Sequence, residues 1–456
     1  MAPPPASAIA DAMNAPGNPR ESQTNVDIMA VTKGFHWPWL IALLFALSGV
    51  GLAAATLAWQ TYEGLGVAGY QAPVFWGVYI ITFVFWIGIG HAGTLISAIL
   101  FLFRAKWRNA INRGAETMTV FAVLTAALFP LIHIGRLWKF YFLLPYPNQR
   151  YLWVNFKSPL LWDVFAVNTY LTISLLFFLV GLIPDIAVAR DRAVGWKKAV
   201  YRSSPAAGRA RASSGRRTTG RCSTSPESRR RSSSRSTRSC PGTSPCRSSP
   251  AGTRRSSPST SWRAIFGGFA MVVVVMIPVR RIFRLERYIT DYHFENMSRF
   301  ILFTSLICGY AYGAEYFIAW YSGVEFEQTS FWQRAFGPYW FSTWCMIVFN
   351  VVMPQLLWIK KLRTNLPFLF ILCFFINLGM WFERYVIIIT SLSREYVPAA
   401  WGLYIPSTVE LIVLTGSFCW FSMFFLLFLK MFPIIAIAEV KELEIHAKEH
   451  GHGGAH

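Results

Sequence analysis

The chain has 456 residues, 54% hydrophobic and 16% aromatic with only 14% charged, and a formal net charge of +21. Apolar runs of that density exclude a soluble globular protein and indicate a polytopic membrane protein. Residues 203–263 alone hold fourteen Arg against one Glu, +13 of the +21, so the remaining charge is that of ordinary basic loops and no nucleic-acid partner is expected.

In chain order, residues 1–35 lack a basic stretch followed by an apolar core and read as a flexible cytoplasmic N-terminal tail rather than a signal peptide. Nine apolar stretches follow that are long enough to cross a bilayer, near 38–60, 74–103, 117–137, 162–189, 264–279, 298–320, 338–359, 366–390 and 408–432. They make residues 36–432 a polytopic membrane domain, and residues 433–456, with four of the eight His in "HAKEHGHGGAH", a solvated cytoplasmic tail. No CxxC pair exists, so neither a disulfide framework nor an iron–sulfur cluster is expected in this chain, and no metal site is either.

The connecting segments can be assigned sides by their Lys and Arg content. "RAKWRNAINR", "RDRAVGWKK", "RRIFRLER" and "KKLR" should be cytoplasmic; "YPNQRYLWVNFKSP", "SGVEFEQTSFWQRAFGP" and "SLSREYVPAAWGLYIPS" should be periplasmic. The sides alternate except once. Two cytoplasmic loops, at 190–198 and 280–287, are separated by a single visible span, so a tenth helix is expected within 203–263. Back-translated with GC-rich codons and read two bases out of frame, this serine-rich tract becomes aliphatic, because serine codons put T in the middle position. The tract is therefore read as frame-shifted sequence hiding a fifth helix within about 212–240, ending in "SVVSWDFAV" with an Asp near position 243, where the written chain has Gly242 and Thr243. A disordered Arg/Ser loop, the alternative, leaves the alternation broken.

Ionisable residues inside spans are costly and point to function. His133, in "FPLIHIGRLWKFYFLLPYPN", lies near the periplasmic end of the third span, and Asp163, in "SPLLWDVFAVNTYL", near the periplasmic start of the fourth. A base-capable imidazole and a carboxylate at one depth suit two-proton chemistry on a quinol. Alternatively His133 anchors a helix end and Asp163 caps one. His91, Glu315, Glu383 and Arg384 lie deeper and could relay protons; the alternatives are close helix packing for His91 and interhelical pairing for Glu383 and Arg384. His91 and His133 sit toward different ends of their spans, which argues against a shared haem.

"FWIGIGHAGTLISAILFLFR", "FPLIHIGRLWKFYFLLPYPNQRYLW", "SPLLWDVFAVNTYL" and "NLGMWFERYVIIITSLSREYVPAAWGLYIPS" together resemble the NrfD/PsrC family of quinol-interacting membrane subunits, and among these look closest to the ActC type of bacterial alternative complex III. The resemblance covers about residues 35–440. It implies an all-α integral membrane protein of ten transmembrane helices, two four-helix bundles plus two further helices, in a bacterial inner membrane with both termini cytoplasmic. It further implies menaquinol or ubiquinol as substrate near the periplasmic face, no haem or iron–sulfur cluster of its own, and as partners a periplasmic iron–sulfur subunit, multihaem cytochrome c subunits, a second NrfD-like membrane subunit and lipids. Carried over by position, His133 and Asp163 would be catalytic, with Arg394 and Arg136 completing the quinol-binding set. Two rivals remain: a subunit of a polysulfide- or nitrite-reductase-type complex, and a secondary transporter, for which internal repeats would be expected.

Overall fold

A computed structural model of the chain describes residues 31, 36–102, 107, 111–144, 159–192, 258–394, 399 and 401–436. The expected helix within 212–240, the Asp near 243 and, apart from Val31 and residues 433–436, both tails lie outside the described residues.

Nine of the described helices are long and apolar enough to cross a membrane, and the only β feature among the described residues is an isolated bridge between Gln71 and Val74. The protein is an all-α integral membrane protein. Helix α1 (Trp37–Glu63) starts with Pro38 in its first turn, where a missing N–H costs nothing, and stops at Gly64, whose φ of +103° an L side chain rarely adopts. It is followed by α2 (Val78–Leu102), α3 (Asn112–His133), α4 (Pro159–Arg192), α5 (Pro258–Ile282) and α6 (Asp291–Tyr321). A short amphipathic helix α7 (Glu325–Phe336) leads to α8 (Trp340–Ile347), which continues through a π-turn at Val348–Val352 and a 3₁₀ stretch at Met353–Trp358. Pro354 has no N–H to bond back into the helix, so the ladder shifts register just before it. The last spans are α9 (Leu366–Leu392), capped by Asn365, and α10 (Thr408–Met431), begun by a Ser407/Glu410 capping box.

These helices alternate in direction except that α4 and α5 run the same way. Those that pack closely do so through small residues, which let backbones approach where hydrophobicity gives no preference. On α2, a side chain at Gly93 would strike Thr119 and the Ala115 carbonyl of α3, and on α5 one at Gly268 would strike Ala92 of α2. The windows of α2, α3 and α5 are 72–78% buried against 17% for α1, so those three form the centre and α1 the periphery. Helices α5, α6, α8 and α9 pack as one group, α2, α3 and α4 as a second, and α1 pairs with α10. The two groups meet where α2 packs on α5 and α9.

The alternation defines two faces. On the first, α1, α3, α6 and α9 end and α2, α4, α5, α8 and α10 begin; the other carries the basic turns 280–287 and 360–363. Arg113, at the start of α3, pairs with Asp185 near the end of α4, while Arg263, at the start of α5, pairs with Glu383 toward the end of α9. The chain thus leaves α4 at the basic face and enters α5 at the opposite one. The described helices reproduce the single break in alternation that the loops indicate.

The element bounds differ from expectation at three places. Helix α5 begins at Pro258 rather than 264 and takes in Arg263, whose charge is matched inside the fold. Helix α6 begins at Asp291 rather than 298, because its polar first turns are set by a Thr290/His293 capping box rather than by hydropathy. The stretch 338–359 is continuous in direction but composite in its hydrogen bonding.

Candidate functional site

On the face opposite the basic turns, ends of α2, α3, α4 and α10 come together with two connecting segments. His133 is the last residue of α3, where Gly135 (φ +81°) turns the chain away. Its imidazole stacks on the Trp76 indole, ring centroids 4.9 Å apart and planes 30° apart, and meets the Tyr70 ring edge-on at 6.1 Å. Its Nδ1 is buried without a hydrogen-bond partner. Asp163, near the start of the neighbouring α4, is 4% exposed, and its Oδ2 also has no partner. Polar atoms buried in this way are costly unless something satisfies them.

Tyr70 and Trp76 come from residues 64–77, which form a roof over His133 and are wedged between two other segments. Gly135 abuts Leu65 on one side, and on the other Gly402 abuts Ala72 and Pro73. The end of the roof is fixed by Glu410, a fully buried carboxylate on α10. It accepts hydrogen bonds from the Tyr404 hydroxyl (2.6 Å), the Ser407 backbone N–H (3.0 Å) and the Val78 backbone N–H (3.3 Å). One carboxylate thereby caps the N-termini of both α10 and α2, where the partial positive charge of each helix favours an anion. Gly77 sits between the Tyr404 hydroxyl, Glu410 and the Tyr70 ring, a space that any Cβ would fill. Burial, with the Glu410 carboxylate nearby, raises the Tyr70 and Tyr404 hydroxyl pKa values, so both phenols stay protonated.

Arg394, just past α9 on the same face, lays its guanidinium over the Trp401 ring at 4.8 Å, with Nη1 buried and unpartnered. Burial lowers its pKa from the ordinary arginine value. Its segment is held by Tyr339, whose hydroxyl accepts from the Tyr404 N–H at 2.8 Å, and by the Gly402 N–H donating to Ser393 O. Arg136 is exposed, its guanidinium over Trp138 at 6.0 Å from the ring.

His91 is buried mid-span with neither ring nitrogen bonded. It meets Tyr170 of α4 edge-on at 4.5 Å, and the Tyr170 hydroxyl donates to Gly90 O at 2.9 Å. Asp163, Tyr170, Ser174 and Asp185 all lie on the buried stripe of α4. At its far end Asp185 accepts from Arg113 Nη2 at 2.7 Å, with Glu116 3.5 Å from Arg113 Nη1. A polar seam therefore follows α4 from Asp163 through Tyr170 to Ser174 and, past the buried Phe178 and Leu182, resumes at Asp185 toward the basic face.

Glu315, Glu383 and Arg384 form a separate cluster in the group of α5, α6, α8 and α9. Arg263 donates to Glu383 Oε1 (2.9 Å) and Glu315 Oε1 (2.7 Å) and lies 5.1 Å over the Tyr312 ring, while Arg384 pairs with Glu383 Oε2 at 2.9 Å. These contacts tie α5, α6 and α9 together, which is the interhelical pairing that stands as the alternative to a relay. Arg263, the last residue of the tract read as frame-shifted, is thus at home in its written identity.

Sequence reasoning missed Tyr70, Trp76, Tyr339, Tyr404, Glu410 and Arg263. Glu410 had a readable signal, the "STVE" capping box at the start of an apolar run. The aromatic roof had none, since its relation to His133 is wholly tertiary.

These features define a polytopic helical membrane protein with a half-buried imidazole and a buried carboxylate near one face. Residues 66–210, which span α2 to α4 and the roof, match the family described as polysulphide reductase, NrfD. The chain is also similar to a putative membrane subunit of a dimethyl sulfoxide reductase from Halobacterium salinarum, 28% identical over 168 residues, 36% of this chain and 35% of that protein. A selenate reductase subunit of Mesobacillus selenatarsenatis is 27% identical over 93 residues, 20% of this chain and 22% of that protein. The matched regions cover about a third of the first relative and less of the second.

Proposed function

We propose that the chain is an NrfD-like membrane subunit of a redox enzyme complex, and that its pocket exchanges electrons and protons with a quinol. What carries this reading is the pair of buried, unpartnered atoms, His133 Nδ1 and Asp163 Oδ2, at the same end of two adjacent helices, with the aromatic roof over His133. A quinol hydroxyl would satisfy such atoms, and an aromatic wall suits a quinone ring. In the oxidising direction the quinol gives up two electrons to an iron–sulfur centre of a partner and two protons, one each to the imidazole and the carboxylate; in the reducing direction each step reverses. Tyr70, held protonated, can orient a ring oxygen but not act as the base. Arg394 would help hold the ring or its charge, and the seam through His91 offers protons a route along α4.

Two readings of the electron acceptor stand. The family resemblance favours quinol oxidation in a complex of the alternative complex III type, with multihaem cytochromes beyond the iron–sulfur partner. The names of the similar proteins, both reductase subunits, favour a complex in which quinol feeds a terminal reductase of the polysulfide- or nitrite-reductase type. In both, the basic turns face the cytoplasm.

The test is quinol turnover by the purified complex bearing His133→Gln or Asp163→Asn. Loss of a positioned proton acceptor should lower kcat by about 10²–10⁴-fold in each. Turnover unchanged in both, with the complex intact, would remove the site. Multihaem cytochromes co-purifying with the chain would decide for the first reading.

A further inference from the structure

The basic face carries a charge excess that the fold does not use. Three cations around the start of α6 are matched: Arg280 pairs with Asp291 at 2.5 Å, while Arg299 and Arg363 share Glu295 at 2.8 and 3.1 Å. Asp291 and Glu295 lie one helical turn apart, so these contacts gather the end of α5, the start of α6 and the 360–363 turn into one rim. On that rim Arg281, Arg284, Arg287, Lys360 and Lys361 are all exposed, and none has an ion pair among the described residues. The nearby Glu286 is the one exposed acid to set against them in 280–287 and 360–363.

Two further observations say what kind of partner meets this rim. Arg284 has φ +54°, a left-handed conformation that disfavours any side chain but is supplied here by arginine where glycine or asparagine would be relaxed. Lys360 and Lys361 directly follow Trp358 and Ile359, which are 64% and 52% exposed and end a span. Cations beside an exposed tryptophan at a span end sit at the depth of lipid phosphates. Below them the contact of α6 with α8, where Gln355 donates to Ser305 Oγ, is flanked by exposed Phe303, Leu306, Val352 and Leu356, a surface for acyl chains.

We infer that the rim formed by Arg281, Arg284, Arg287, Lys360 and Lys361 is a binding site for the headgroup of an anionic phospholipid, whose chains lie along α6 and α8. The phosphate meets several unneutralised cations together, and a zwitterionic lipid, which brings its own ammonium, is held less tightly. The inference is independent of the quinol pocket, which lies at the other face.

The test uses the full chain in its purified complex, delipidated in detergent and titrated with phosphatidylglycerol or phosphatidylcholine, with bound lipid read by native mass spectrometry. Phosphatidylglycerol should be retained and phosphatidylcholine not. Each Lys or Arg near an anionic headgroup is worth about fivefold in binding, so K360Q/K361Q should weaken retention by about 30-fold. R284G removes one cation while relieving the backbone, so its thermal midpoint should not fall although retention weakens about fivefold. Equal retention of the two lipids, or variants that hold phosphatidylglycerol as well as the parent does, would overturn the site; cations covered by another protein of the complex would give that second result.

Discussion

Arg263 shows what a single side chain does in this interior. It is 5% exposed and holds two carboxylates from two other helices, one of them the fully buried Glu383. Removing one member of such a group strands the others, at a cost of about 3–5 kcal/mol. Arg263→Leu should therefore lower the thermal midpoint sharply, whereas Arg263→Lys, which keeps a charge but not the two-armed geometry, should fall between. Glu410 makes the same point with hydrogen bonds. Glu410→Gln keeps the shape but turns an amide against the Tyr404, Ser407 and Val78 donors, at about 1–3 kcal/mol in thermal unfolding. Because the change also loosens the roof above His133, quinol turnover should fall with it; a stable, fully active Glu410→Gln protein would contradict the double-cap role. At this scale the sequence is informative only in part. His133 and Asp163 stand out because ionisable groups are rare in spans, while Arg263 is hidden by a hydrophilic tract and the roof aromatics by the ordinary abundance of aromatics in membrane proteins.

At the scale of helices, packing is decided by where the glycines fall rather than by how many there are. Gly93 faces α3 with no room for a methyl group, whereas Gly51, on the outer side of α1, has nothing within 4 Å of where a Cβ would stand. Gly93→Ala should destabilise by about 1–3 kcal/mol through overpacking. Gly51→Ala should be neutral or stabilising by up to about 1 kcal/mol, because alanine loses less backbone freedom in a helix. Thermal unfolding of the two variants side by side checks this, and equal shifts would show that α2 and α3 can part. Hydropathy finds all nine spans because about twenty apolar residues are needed whatever the neighbours are. It misplaces ends such as Asp291 and Pro258, where capping and ion pairs extend a helix past its apolar core.

For the whole molecule, the loops predict a broken alternation, and the end of α4 and the start of α5 lie on opposite faces. The two faces differ chemically. One carries Arg281, Arg284 and Lys360, the other the exposed 3₁₀ segment Leu137–Leu143 with Trp138 and Phe140. Cysteines introduced at Trp138 and at Tyr292 should be labelled by an impermeant maleimide from opposite sides of sealed vesicles; labelling from one side would invalidate the topology. What the sequence could not convey is which helices meet. That α1 lies against α10, joining the two ends of the membrane domain, follows from Gly49 against Cys419 and Gly416 against Ala53, and no local pattern announces such a pairing.

The carboxylate that caps both α2 and α10 also sets an order of assembly. Val78 is made more than three hundred residues before Glu410, and Trp86 equally far before Ser417, to which its indole N–H donates at 3.0 Å. During synthesis, the first helices must therefore wait in the membrane with the start of α2 uncapped and the roof unanchored until α10 arrives. A chain truncated after Leu392 would insert its earlier spans yet present an open, polar-lined cleft, and membrane quality-control proteases should remove it faster than the full-length chain in a pulse-chase experiment.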